Sequence, residues 1–387
     1  MRDFRSKIGD TSGRSHLLEV KLARQTNFTE RKCNPTARWL KIAGLLVMLL
    51  LVACGGETAV TPTPLPISEP DAPAAEPTGE PVTESETTGA TFPVTIEHKF
   101  GSTTIPDEPQ RVVTIGFSEQ DPVLALGVVP VAIRDWFGDQ PYGVWPWAQD
   151  ELGSATPELL QMPFGELNYE LITSLDPDLL VATHSGITEE EYSLLSQIAP
   201  TLAQPAEYPD FGVPWQVQTQ LIGRALGKEV LATELIATVE AQITAANEAN
   251  NSFDGATVAW VTPAAEAGQF WVVGENTPPL RFLTGLGLTY DPALSEVVGD
   301  LDSAQISSER LDLLDVDVLI VRAGTAEEIA AIENDPLFSQ LAVARDGRII
   351  FFVGADPVYG ALSFSTVLSL PFAVDELVPQ IATAVNP

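Results

Sequence analysis

Residues Lys228–Glu248, KEVLATELIATVEAQITAANE, contain no Gly or Pro and carry apolar side chains at Leu231, Leu235, Val239 and Ile243. A four-residue step on a helix of about 3.6 residues per turn gives one slowly drifting buried stripe on an otherwise polar rod. Gly227 precedes the segment, and Asp254-Gly255 follows its Asn-rich end, which is how helix termini are punctuated. At about 1.5 Å per residue such a rod spans roughly 30 Å, enough to cross a small domain. On either side lie blocks of similar size that alternate strand-like and helical periodicity. The spacing therefore predicts a linking helix over 228–248 between two lobes, 92–227 and 249–387.

Charge and cysteine content narrow the function. Ten of the 20 Lys and Arg precede Ile42, so from Cys54 onward 10 basic side chains face 49 acidic ones, a formal −39. Such a surface repels nucleic acid and anionic lipid headgroups, and an anionic partner would need a local Arg. The two cysteines, Cys33 and Cys54, lie outside the lobes, which leaves the lobes without a disulfide framework or thiolate metal cluster. The apolar run Ile42–Ala53, preceded by Arg38 and Lys41, is too short for a membrane span and suits a signal-peptide core over 1–53. Its close, Leu51-Val52-Ala53-Cys54-Gly55, is similar to the lipobox of bacterial lipoproteins, in which the Cys is acylated after cleavage. Residues 54–91 are rich in Pro, Thr and Glu with few bulky apolar side chains, the composition of a disordered tether.

In the first lobe, Arg111–Gly116, Val128–Ile133, Thr156–Leu160 and Asp178–Thr183 read as strands, with helices over Gln120–Leu126, Leu167–Leu175 and Glu189–Ile198. Short apolar strands alternating with helices argue for a parallel sheet covered on both faces, with ligands beyond the carboxyl ends of its strands. Phe117-Ser118, Arg134–Trp136 and His184–Gly186 occupy those ends. The second of them opens Arg134-Asp-Trp-Phe-Gly-Asp-Gln-Pro-Tyr-Gly-Val-Trp-Pro-Trp147, whose aromatics follow no helix or strand period. An aromatic ligand wall formed by Trp136, Tyr142, Trp145 and Trp147 is the functional expectation; packing of the loop on its own lobe is the alternative.

In the second lobe, strands are expected at Ala256–Val261, Phe270–Val273, Asp317–Val321 and Arg348–Val353, with closing helices at Ser365–Leu370 and Val374–Ala384. The first-lobe segment Glu170-(x)4-Leu175-Asp-Pro-Asp178 recurs as Glu309-(x)4-Leu314-Asp-Val-Asp317, in each case a helix passing through Asp-x-Asp into a strand. Two like lobes facing across a beam make a cleft. Arg322, Gly354–Tyr359, Trp271 and Arg281 are the expected contributions of the second lobe to it, while Arg111, Arg345 and Arg348 sit at strand starts away from it. No Gly-x-Ser-x-Gly elbow, Walker loop or dinucleotide fingerprint occurs, and His98 and His184 are too few for a His-based metal site.

Several segments together carry a resemblance: Ile105-Pro-(x)4-Arg111-Val-Val, Gly116-Phe-Ser-Glu-Gln-Asp-Pro-Val-Leu-Ala-Leu-Gly-Val-Val-Pro130, Asp135-Trp-Phe-Gly-Asp-Gln-Pro-Tyr142, Leu167-Asn-Tyr-Glu-Leu-Ile with Pro177-Asp-Leu-Leu, Ser185-Gly-Ile-Thr-Glu-Glu-Glu-Tyr192 and Ala361-Leu-Ser-Phe-Ser-Thr-Val-Leu-Ser-Leu-Pro371. The chain resembles the iron-siderophore substrate-binding lipoproteins of ABC transporters. The resemblance implies an α/β fold of two Rossmann-like lobes with central, mostly parallel sheets joined by one long helix. It implies a monomeric, non-enzymatic receptor, lipid-anchored through Cys54 on the outer face of the cytoplasmic membrane, that needs no cofactor and delivers a ferric siderophore to an ABC permease. Trp136, Tyr142, Trp145, Trp147, Trp215, Trp271 and Tyr359 would contact the chelate's hydrocarbon; Arg134, Arg281 and Arg322 would meet its oxygens; and Glu190, Glu191 and Glu309 would dock on the permease. His184, at a strand end, is either a hydrogen-bonded loop residue or a ligand contact. The strongly acidic background favours a hydroxamate over a catecholate. Cobalamin or haem, an anchored hydrolase and an adhesive module are the rival readings.

Overall fold

The computed structural model describes residues 92–386. The first lobe opens on a hairpin, β1 (Val94–His98) and β2 (Gly101–Ile105), whose inward Ile96 and Ile105 join the core beneath the first sheet. That sheet holds β3 (Val112–Thr114), β4 (Ala132–Arg134), β5 (Glu158–Leu160), β6 (Leu179–Ala182) and β7 (Thr201–Ala203) in the order β5-β4-β3-β6-β7, all parallel. Apart from the edge strand β5, its strands are buried on both faces, which is why β3 and β6 read as apolar runs. The hairpin and β7 escaped the sequence reading: β1 alternates buried and exposed side chains over five residues, and β7 has three residues between Pro200 and Gln204.

The second lobe contains β8 (Thr257–Pro263), β9 (Phe270–Val273), β10 (Thr289–Tyr290), β11 (Ser303–Ile306), β12 (Val318–Ala323) and β13 (Ile349–Val353), in the order β11-β9-β8-β12-β13 with β10 beside the start of β8. It is parallel except at one edge, where β9 runs antiparallel to both β8 and β11. The repeated Asp-x-Asp turn does the same work in both lobes. Asp178 accepts from the backbone amides of Gln110 and Arg111 ahead of β3, and Asp317 from that of Thr257 at the start of β8. Arg111 and Arg348 in turn donate to carbonyls of these turns, at the strand starts expected of them.

A 21-residue helix, Glu229–Ala249, links the lobes. Its buried face runs through Ala232, Leu235, Val239 and Ile243, while Leu231 is exposed, contrary to the expected stripe. Each four-residue step turns the position by about 40°, so three steps carry Leu231 far from the face of Ile243. Ala232 takes its place against Gly223, where a Cβ would lie 2.5 Å from the Ala232 methyl. The chain end also departs from expectation. Ser365–Leu370 is not a separate helix: one helix, Pro357–Phe364, is capped by the Asp356 carboxylate, and a second, Ser369–Val385, holds Pro371 in its first turn, where a missing amide hydrogen costs nothing.

Candidate functional site

The carboxyl ends of β3, β4 and β6 meet at Phe117. Its ring lies 5.7 Å from Trp136, 6.5 Å from Phe164 and 6.3 Å from Phe211. Trp136 continues this wall to His184 at 6.2 Å, and across the lobe boundary to Phe364 at 5.1 Å. Phe137, next in sequence, reaches Tyr359 of the second lobe at 5.7 Å. The Arg322 guanidinium lies 4.9 Å over the Tyr359 ring, and its buried Nε has no hydrogen-bond partner. Gly186 makes the Phe pair possible, since a Cβ there would lie 2.7 Å from the Phe211 ring and 3.0 Å from that of Phe164.

Two expected ligand contacts, Arg134 and Trp145, are buried, and a third, Trp147, is half-buried against the second lobe. Arg134 is 1% exposed and donates to the carbonyls of Met162, Ile115 and Pro163 at 2.7, 3.0 and 2.7 Å, while its guanidinium supports the Phe117 ring from 4.3 Å. It therefore holds the wall, with its donors taken up by backbone carbonyls. Trp145 is likewise 1% exposed, stacked on Trp147 at 5.0 Å and 9°. Its ring is seated against Gly138 of its own lobe and Gly360 of the other, where added Cβ atoms would lie 2.4 and 2.7 Å away. Trp147 packs on Phe364 and Phe372, with its indole N–H donated to Asp121 at 2.8 Å. Both Trp thus pin the lobes together. Tyr142, on a turn with φ +58°, and Trp271, exposed on β9 between Thr262 and Gln305, take no part in the ring contacts.

Two buried carboxylates lie behind the wall. Glu119 Oε1 accepts from the His184 amide at 2.6 Å and Oε2 from the Ser118 amide at 3.2 Å, joining the ends of β3 and β6. Gly116 leaves room for it, because a Cβ there would sit 1.9 Å from Oε1. Burial pushes Glu119 up to about 7, against the opposing pull of those amides and of Arg134. Asp121 accepts from Thr366 Oγ1 of the second lobe at 2.6 Å and from Trp147, and burial pushes it up to about 7 as well. The His184 imidazole is held down at about 4 by burial, with the Arg281 charge adding to the effect, so it is neutral at physiological pH.

These shifts set a pH dependence of stability. A carboxyl raised in the folded state binds its proton at higher pH than the unfolded chain does, so its contribution is fullest below the unfolded value and is lost as pH rises through about 7. His184 contributes in the opposite sense, but only below about 6.5. Between pH 6.5 and 8.5, Asp121→Asn should therefore lose less stability than the parent by about 1 kcal/mol. Parallel urea titrations at the two pH values check this, and an unchanged difference would exclude Asp121 as a titrating group.

Beside the wall, a cavity of about 580 Å³ is bounded by His184, Trp215, Arg281 and Phe364, and by Glu240, Ile243 and Thr244 of the linking helix. Trp215 and Arg281 reach this cavity and not the ring wall; Arg281 donates to the Gly212 carbonyl at 3.2 Å. Among the described residues, no three His, Cys, Asp or Glu side chains converge in a metal-binding group. A model of the periplasmic binding protein family matches residues 113–353. The chain belongs to this family. Like other periplasmic binding proteins, it has solved counterparts in structure: a periplasmic solute-binding protein of Mycobacterium smegmatis is 38% identical, with 76% of this chain and 99% of that one covered at a TM-score of 0.68. PiaA of Streptococcus pneumoniae, solved in complex with ferrichrome, is 29% identical over 75% of this chain and 98% of its own, at a TM-score of 0.66. The ferric-anguibactin-binding protein FatB of Vibrio anguillarum is 26% identical over 74% of this chain and 87% of its own.

Phe164 and Phe211 were the wall residues least visible in sequence. Each sits in a Pro-rich turn, Pro163-Phe-Gly165 or Pro209-Asp-Phe-Gly212. A large aromatic between Pro and Gly has no periodic face to bury it, and that is the signal which could have found them.

Proposed function

We propose that this periplasmic binding protein captures a ferric siderophore in the cleft between its lobes and delivers it to the permease of an ABC importer. The observation that carries the reading is the aromatic wall that exposed Trp136 and half-buried Tyr359 present over buried Phe117 and Phe364, continuous across the lobe boundary and flanked by Arg322 and Arg281. Rings of this kind cover the hydrocarbon of a chelator, and free guanidinium donors meet its oxygens through charge-assisted hydrogen bonds. The ferric ion is cargo and brings its own ligands. PiaA in complex with ferrichrome and the ferric-anguibactin-binding FatB support this choice of ligand. The receptor releases the chelate chemically unchanged, and mass spectrometry of the eluted ligand checks that.

The same reading includes a monomer held at the outer face of the cytoplasmic membrane by acylated Cys54. Cys54 lies outside the described residues, and among these no helix is long and apolar enough to cross a membrane. Loss of membrane retention on Cys54→Ala checks the anchor. Glu190 and Glu309 are exposed, the first on the helix Glu189–Leu195 and the second on the 3-10 turn Ser308–Leu314. They are the stronger docking candidates, because Glu191 is held in a capping box with Thr188.

One experiment tests both halves. Ferric chelates titrated into the purified protein should quench tryptophan emission saturably at micromolar affinity or tighter, roughly −8 kcal/mol. Reversing charge at Glu190 and Glu309 should abolish uptake into cells while leaving that affinity intact. No response to any ferric chelate would sink the receptor assignment, and normal uptake by the reversed variant would sink the docking.

A further inference from the structure

The cavity beside the wall carries two charges of opposite sign that are not paired with each other. At its inner end stand His184 and Phe364, which also belong to the ring wall. Arg281 lies close enough to His184 for its charge to depress the imidazole, so the guanidinium marks the end nearest the cleft. Glu240, on the linking helix, lines the same cavity. Neither enters an ion pair among the described residues. Arg281 makes one bond, to the Gly212 carbonyl, which leaves most of its donors free; Glu240 Oε1 accepts from Gln216 Nε2 at 3.2 Å, which leaves Oε2 free.

The volume, about 580 Å³, lies within the roughly 300–1,000 Å³ of small-molecule pockets. A group that fills the cavity meets both a cation and an anion. An arm that is anionic throughout would be favoured by Arg281 and repelled by Glu240. An arm ending in an ammonium would place its donors on the free Glu240 oxygen and on the Gln216 amide oxygen, while the chelate's iron-binding oxygens remain within the reach of Arg281.

We propose that this cavity receives a pendant, ammonium-terminated arm of the ferric chelate, with Glu240 on the ammonium and Arg281 toward the iron-binding oxygens. The assignment rests on the reading of the cleft as a ferric-siderophore site and adds which chelates it selects: those with amine tails, such as linear trihydroxamates, over purely anionic complexes. Glu240 is exposed on its helix, so Glu240→Gln removes the charge and retains the shape without disturbing a core.

The test uses two probes that differ by one group, the ferric complex of a linear trihydroxamate ending in a primary amine (ferrioxamine B) and its N-acetylated form. The parent protein should bind the amine form roughly two- to fivefold more tightly, the scale of one solvent-screened ion pair. Glu240→Gln should abolish that preference while leaving affinity for the acetylated complex unchanged. Equal affinities in the parent protein would overturn the proposal, as would a preference that survives Glu240→Gln. If neither trihydroxamate binds but ferric citrate or a tricatecholate does, the arm assignment falls and the siderophore reading stands. If no ferric chelate binds, the receptor reading itself falls, and the arm assignment with it.

Discussion

Replacing Trp145 with Ala is expected to cost about 3–5 kcal/mol of stability, the range for truncating a fully buried large aromatic. The side chain is 1% exposed, and its ring contacts Trp147, Phe137 and Phe364 at centroid distances of 5.0, 5.3 and 6.0 Å. Its removal opens a void between the lobes that neither Gly138 nor Gly360 can fill, since neither has a side chain to move into it. The neighbouring Asp121 bond to Thr366 also depends on this contact, because Trp147, stacked on Trp145, donates to the same carboxylate. The melting temperature should fall by roughly 6–15 °C at a few degrees per kcal/mol. Trp145→Phe should recover part of the loss. A melting temperature within 2 °C of the parent would mean that the lobes are held by something other than this pin.

The same pin bears on how the receptor moves. Trp145 against Gly360, Trp147 against Phe372, and Asp121 on Thr366 tie the aromatic loop and the helix Gln120–Ala125 of the first lobe to the two closing helices of the second and the turn between them. With a continuous helix on one side and this contact on another, large opening of the lobes would expose buried indole and a buried carboxylate together. The packing therefore favours small adjustments at the wall over wide hinge closure.

The architecture was legible because it rests on periodicity and repetition. The linking helix declares itself by 21 residues without Gly or Pro, and the two lobes by an Asp-x-Asp turn whose second Asp caps a strand start in each. The site was legible in composition more than in direction. That residues 134–147 would form an unusual aromatic surface could be read, but not which rings face the cleft. Arg134 ends a cleft-directed strand, as Arg322 nearly does, yet it is drawn inward by carbonyls of Met162 and Pro163 some 28 residues away. Loop side chains have no period, so their burial is decided by such distant partners. Glu119 and Asp121 were read only as part of a motif, because sequence does not tell a buried carboxylate from the many solvated ones.

Trp136 should behave in the opposite way to Trp145. It is 38% exposed, yet it touches Phe117 and His184 in its own lobe and Phe364 in the other. Truncation to Ala removes a partly solvated ring, so stability should change by only about 1 kcal/mol, a value typical of point substitutions. Binding should suffer more, because the ring lies at the centre of the wall and becomes fully desolvated only when a chelate covers it. Central aromatic anchors of this kind contribute about 2–3 kcal/mol, so affinity for the ferric chelate should fall roughly 30- to 150-fold. Calorimetric titration of Trp136→Ala beside the parent, with thermal melts of both, separates the two effects. Loss of stability without loss of affinity would move the ligand away from Phe117 and toward the cavity of Arg281 and Glu240. Loss of affinity in a protein that melts normally would fix the chelate against this ring.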